Sequence, residues 1–274
     1  MNGVAKRLYN IDEPYAAGYF ENPERSYFYR TAKAILRYRE VCTLSGYNGE
    51  HLYPNGVCNL DIFAVVPQFS YVHMTDHSKL LQKDEKLGKY CKENMPQWRW
   101  VEKEGTKAIF GSLYTHTNAN YVRILKEGFD SYRERILKAK DRDFREGCLT
   151  VLDSIYVYRN RCVEYLKSVN AKPELIAAHE KVPFKPADNI YEALVGLNFI
   201  YYVDMCDNIG SIDEELNFWH KGEDVEEILR NFYHNVDANN GWALRVGPTI
   251  YPITYQIIKA SKGIRRPSRA GSPY

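Results

Sequence analysis

No apolar run in this 274-residue sequence approaches the ~20 residues that a membrane-spanning helix needs, and the opening Met1 to Arg7 has no hydrophobic core of a secretory leader. The six cysteines (Cys42, Cys58, Cys91, Cys148, Cys162, Cys206) form no Cys-x-x-Cys pair, which argues against a zinc site or a disulfide framework and for a reducing, cytoplasmic setting. Charge of one sign is missing too. With 37 basic and 35 acidic residues the net charge is +2, too weak a field to point to nucleic acid or an anionic membrane as partner. Phosphate-loop, nucleophile-elbow and His-Glu-x-x-His motifs are all absent. Internal repeats and low-complexity linkers are absent as well.

What is abundant is tyrosine, at 23 residues, within a chain that is 45% hydrophobic. A phenol wants a packed ring and a partner for its hydroxyl, so the expectation is a large core with a partly polar interior. Helical spacing of apolar residues predicts a helix after Pro23-Glu24, a polar helix over 78–94, and one long helix that follows Asn118 as N-cap and carries Tyr121, Leu125, Phe129, Tyr132 and Ile136. A second long helix is expected from Asp141 to Val169, with Phe144, Cys148 and Cys162 on its core stripe. A buried helix opens at Asp188 or Asn189 and ends in a polar loop over 204–210, and helices follow from Asp213, from Asp224 and from Pro252. Ala108–Tyr114 reads as a strand, and Ile62–Val66 as a buried apolar run, strand or helix. Trp98-Arg99-Trp100 reads as an aromatic lid against a surface helix or as a cation–π clamp, and Asn239 to Pro248 as a Gly/Asn-rich turn.

Few residues offer chemistry. His116 stands at a strand-to-helix junction, where a side chain projects beyond a strand end; it reads as a ligand contact or as a buried or capping histidine. Cys206 lies among Asp204 and Asp207, whose charges raise a thiol pKa and disfavour a thiolate nucleophile, leaving a structural role or hydrogen-atom transfer. Asp204, Asp207 and Asp213 lack the spacing of a calcium loop and read as a solvated acidic loop. No metal ligand set is expected.

Three segments in order carry a resemblance. Thr115-His116-Thr117-Asn118 through Gly128 resembles the strand-to-helix segment of glycyl radical enzymes of the pyruvate formate-lyase-like family. Asn208 to Leu216 is similar to that family's Gly-Arg-[aliphatic]-Asp-Gln segment, with Ser211 in place of the Arg and Glu214 in place of the Gln. Asn239 to Pro267 is similar to its loop, helix and Arg-x-Pro strand entry. The resemblance spans 1–268, with the motifs in 105–268 and only helix pattern in 1–104; residues 269–274 are a tail.

It implies a helix-rich α/β fold, the N-terminal part of an incomplete glycyl-radical-enzyme α/β barrel. It also implies radical lyase, dehydratase or acyltransferase chemistry on a small organic substrate. In that family a glycyl radical, installed by a separate radical-SAM activating enzyme, generates a thiyl radical on a loop cysteine. Neither Arg245-Val246-Gly247-Pro248 nor Arg269-Ala270-Gly271-Ser272 matches the radical loop, so the chain is expected to bind no cofactor and to be inactive without a C-terminal glycyl radical half or partner chain. By the same resemblance the substrate-binding residues are His116, Asn208, Trp242 and Cys206. A non-catalytic helical binding or regulatory protein derived from that family is the alternative.

Overall fold

In the computed structural model, residues 14, 17–19, 21–56, 85, 86, 89, 93, 119–204, 208–239 and 243–264 are described. The apolar run at 62–66, the strand expected at 108–114, the Trp98-Arg99-Trp100 cluster and the entry at Arg265-Arg266-Pro267 lie outside them. Of the helix expected over 78–94, the described residues 85, 86, 89 and 93 are helical. The chain packs as two discontinuous units, one of 1–43, 59–114 and 140–154, the other of 44–58, 115–139 and 155–274.

The first unit contains α1 (Tyr27–Val41), whose N-cap Ser26 accepts from the Tyr29 N–H. The helix thus starts three residues beyond Pro23-Glu24. Arg25 holds it to the first turns of α4 (Arg142–Ser168) with ion pairs to Asp143 at 2.6 Å and Glu146 at 2.8 Å. Asp143 also accepts from the Ser26 N–H, and these bonds hold its carboxyl down at about 2. Phe144, expected in the core, is half exposed and stacks on Phe28 with ring centroids 5.3 Å apart. The core side of α4 further along is Leu152, Ile155, Tyr158, Cys162, Val163 and Leu166.

The second unit is built around α6 (Ile190–Asp204). Eleven of its 15 residues are buried, so it reads apolar all round rather than on one stripe. Asn189 caps it, accepting from the Glu192 N–H. Gly196 permits a close crossing of α2 (Tyr121–Glu127), since a Cβ there would lie 2.5 Å from Leu125. The expected single helix after Asn118 is two. Gly128, at φ 74°, breaks it into α2, capped by Asn120 rather than Asn118, and α3 (Phe129–Leu137). The break lets Phe129 and Asp130 donate N–H bonds to the carbonyls of Pro183 and Phe184, which follow α5 (Pro173–Lys181). Arg159 donates to the carbonyls of His179 and Glu180, satisfying the end of α5.

After α6 the chain makes β1 (Asn208–Ser211), where a polar loop was expected, then α7 (Ile212–Leu216) and α8 (Glu226–Ala238). Next comes β2 (Ala243–Arg245), inside the expected turn, and α9 (Pro252–Ser261). β1 and β2 pair in parallel, Gly210 opposite Leu244 and Ser211 opposite Arg245, with α7 and α8 as the crossover. The described residues are therefore helix-rich with one two-stranded parallel sheet. No described helix is long and apolar enough to cross a membrane.

A polar seam fixes the segment 45–56 against α6 and α8. Asn231, Asn235 and Asn239 follow at four-residue spacing along α8. Asn231 Oδ1 accepts from the N–H groups of His51 and Leu52 at 3.0 and 2.9 Å. Asn235 Nδ2 donates to Asn198 Oδ1 at 2.9 Å, and its Oδ1 accepts from the Gly56 N–H at 3.2 Å. Asn198 donates to the Pro54 carbonyl, while Asn239 and the Tyr202 hydroxyl both donate to that of Gly56.

Two substitutions test this architecture by urea unfolding. Gly128→Ala combines a left-handed backbone costing about 1–3 kcal/mol with a collision on the Phe184 carbonyl, whereas Gly222→Ala, at φ 107° in open space, carries the backbone strain only. The first is expected to lose clearly more stability than the second. Asn235→Ala orphans buried partners on Asn198 and Gly56 and is expected to cost about 2–4 kcal/mol.

Candidate functional site

Asp213 is where the sheet, α7 and α9 meet. Far from lying in a solvated loop, it is fully buried, and its carboxylate accepts from the Glu214 N–H, the Gly247 N–H at 2.9 Å and the Thr254 hydroxyl at 2.8 Å. Three donors satisfy a charge that burial would otherwise penalise heavily. Gly247, at φ 84°, thus spends its N–H on a structural bond. Gly271 lies outside the described residues.

Asp204 has a different character. It closes α6, half-buried, and takes a backbone hydrogen bond from Ala119, while its Oδ2 has no partner. Burial pushes its pKa up to about 6, so near neutrality this carboxyl exchanges a proton readily. Glu215 on α7 accepts from the Val122 N–H at 3.0 Å and is also raised by burial. These two acids fix the start of α2 beside the end of α6 and the sheet.

His116, Cys206 and Trp242 lie outside the described residues, as does the side chain of Asn208, whose backbone is in β1. Their described neighbours converge in two places. Ala119, three residues beyond His116, bonds to Asp204, two residues before Cys206; Asn208 pairs with Ala243, the residue after Trp242. Asp204 was missed as a site residue because a carboxylate beside Asp207 reads as solvated; only the docking of α2 against α6 removes the water. Among the described residues no group of three or more His, Cys, Asp or Glu side chains could hold a metal.

No family model and no curated protein matches the sequence. Solved structures do. The protein of 1,2-propanediol dehydration in Roseburia inulinivorans superposes with a TM-score of 0.65 at 14% identity, over 96% of this chain and 45% of that one. The B12-independent glycerol dehydratase from Clostridium butyricum, in its glycerol-bound form, gives 0.66 at 13%, over 96% and 45%. A glycyl radical enzyme from Archaeoglobus fulgidus gives 0.66 at 12%, over 96% and 46%. The chain has the fold of part of a glycyl radical enzyme. It spans about 45% of the length of the first two structures it matches. At this identity the likeness is one of fold.

The acids give a pH test. Asp204 is raised to about 6, so its stabilising contribution is present while the carboxyl is protonated and is lost as pH rises from about 4 through 6. His179, buried between the rings of Tyr53 and Phe199, is lowered to about 4; its contribution is present above about 6.5 and lost as pH falls toward 4. The two slopes oppose each other in the same window. Asp204→Asn removes only the first, so its stability relative to the parent is expected to be unchanged below pH 4 and to rise between pH 4 and 6. Urea unfolding at four pH values reads this difference, and a flat one refutes the raised carboxyl.

Proposed function

We propose that this chain is the substrate-side portion of a glycyl radical enzyme, with lyase chemistry of the dehydratase kind on a small hydroxylated compound. What carries the reading is a fold likeness that extends over nearly the whole chain, joined to three motifs in family order. The pyruvate formate-lyase-like assignment is part of the same proposal. In such an enzyme the thiyl radical that the glycyl radical generates would supply hydrogen-atom abstraction from substrate carbon. Gly247 does not fit the role of the radical glycine, because its N–H is committed to Asp213 and a proline follows it. No step is therefore placed on it. A C-terminal glycyl radical half or partner chain would bring the glycine and cysteine, and a radical-SAM activating enzyme would install the radical.

This chain's own contribution is proton handling and orientation. Asp204 Oδ2, unpartnered and raised to about 6, accepts a substrate hydroxyl when ionised and, when protonated, donates to a hydroxyl leaving as water. His116, Asn208, Trp242 and Cys206 are proposed to complete the pocket around it. Asp213, with its carboxylate committed to Glu214, Gly247 and Thr254, ties α7 to the segment after β2 and to α9.

Anaerobic incubation with S-adenosylmethionine and a glycyl radical dehydratase's activating enzyme is expected to give no glycyl radical resonance from this chain by itself. Co-expression with a complementing C-terminal half is expected to give the radical and dehydration of 1,2-propanediol, with Asp204→Asn lowering turnover about 10²–10⁴-fold. A radical on the isolated chain, or full turnover by the variant, overturns the respective assignment.

A further inference from the structure

We infer that a second, ligand-binding cleft lies between the segment 45–56 and α8, fitted to a small organic ammonium compound that also carries hydroxyl groups. The cleft has a volume of about 790 Å³, and none of its lining residues is among those around Asp204. Its base is the asparagine seam, so its shape is set by buried hydrogen bonds rather than by mobile side chains.

Its walls have hydrogen-bonding capacity left over. Asn231 has both lone pairs of Oδ1 committed to His51 and Leu52, which leaves its NH₂ group as a donor. Asn55 is 6% exposed, and its Nδ2 has no partner. An unpaired buried donor of this kind is destabilising, and an acceptor atom on a ligand would satisfy it. Glu50 gives one oxygen to the Asn48 N–H at 2.6 Å, and among the described residues neither Glu50 nor Asp237 makes an ion pair.

Charge then selects the class of ligand. Among the described residues two carboxylates line the cleft and no lysine or arginine does; the basic group among them is the exposed His234. An anion would meet like charge, and a neutral polyol would leave both acids without a counter-charge. An ammonium group answers Glu50 and Asp237, and a neighbouring hydroxyl accepts from the amides of Asn55 and Asn231. This inference does not depend on the radical reading above.

The probe is serinol, tested against glycerol, its neutral counterpart of the same size, and glycerate, its anionic one, by backbone-amide NMR titration of the full chain. Serinol is expected to shift amides within 45–56 and 231–238 and to leave Asp204 and Ala119 unmoved. Binding should weaken about tenfold in Asp237→Asn, the loss expected of one charge-assisted contact, with the variant's unfolding midpoint unchanged. Absence of shifts with serinol, equal binding of glycerol, or an Asp237→Asn variant that binds as well as the parent each overturns the inference.

Discussion

The segment from Ser45 to Gly56 runs into the interior without a helix or strand of its own, and every peptide group it buries must find a partner among side chains. That constraint organises the second unit. Leu52, Tyr53, Pro54 and Asn55 are all buried, and their backbone is served by Asn198 on α6 and by Asn231 and Asn235 on α8. Asparagine suits the task because one side chain both donates and accepts, so the amides also bond to one another across the helices. α6 and α8 are therefore held in register by polar geometry as well as by apolar area.

Tyrosine abundance has the same origin. Tyr53 donates to the Ser45 carbonyl, Tyr202 to that of Gly56, and Tyr156 to Asp130, while Tyr165 accepts from the Tyr47 N–H. Each of these phenols adds a large packed ring and one hydrogen bond that a leucine could not make, to a backbone group in three cases and to a carboxylate in Tyr156. Asp213 repeats the solution with a charge, tying Gly247 and Thr254 to the start of α7. Asp204 departs from it: one oxygen is left without a partner, beside Ala119 at the start of α2. Asn55 Nδ2 and both ring nitrogens of His179 are likewise left without partners, but of these atoms only Asp204 Oδ2 belongs to a carboxyl.

Much of the helical framework was legible in the residues, because apolar spacing, Asp141 and Asn189 as caps, and Pro252 at a first turn are local signals. α4, α6 and α9 were each readable within a few residues. The site was not readable to the same degree. His116, Cys206, Asn208 and Trp242 were named through resemblance, whereas Asp204 depends on a contact with Ala119, 85 positions earlier in the chain.

The residues by themselves determined where most of the helices form, that the interior is partly polar, and that the basic and acidic residues nearly balance. Tertiary structure decided what local pattern does not encode. β1 and β2 are four and three residues long, too short for an alternating signature, and exist because each offers the other a hydrogen-bonding edge across a crossover. Gly128 ends a helix at φ 74°, and the carbonyl of Phe184 occupies the space a Cβ would need there. Asp213 and Asp204 look alike in sequence, yet one is saturated by three donors and the other is left with a free oxygen. A carboxylate's chemistry is set by what removes its water and what replaces it, and both are supplied by distant parts of the chain.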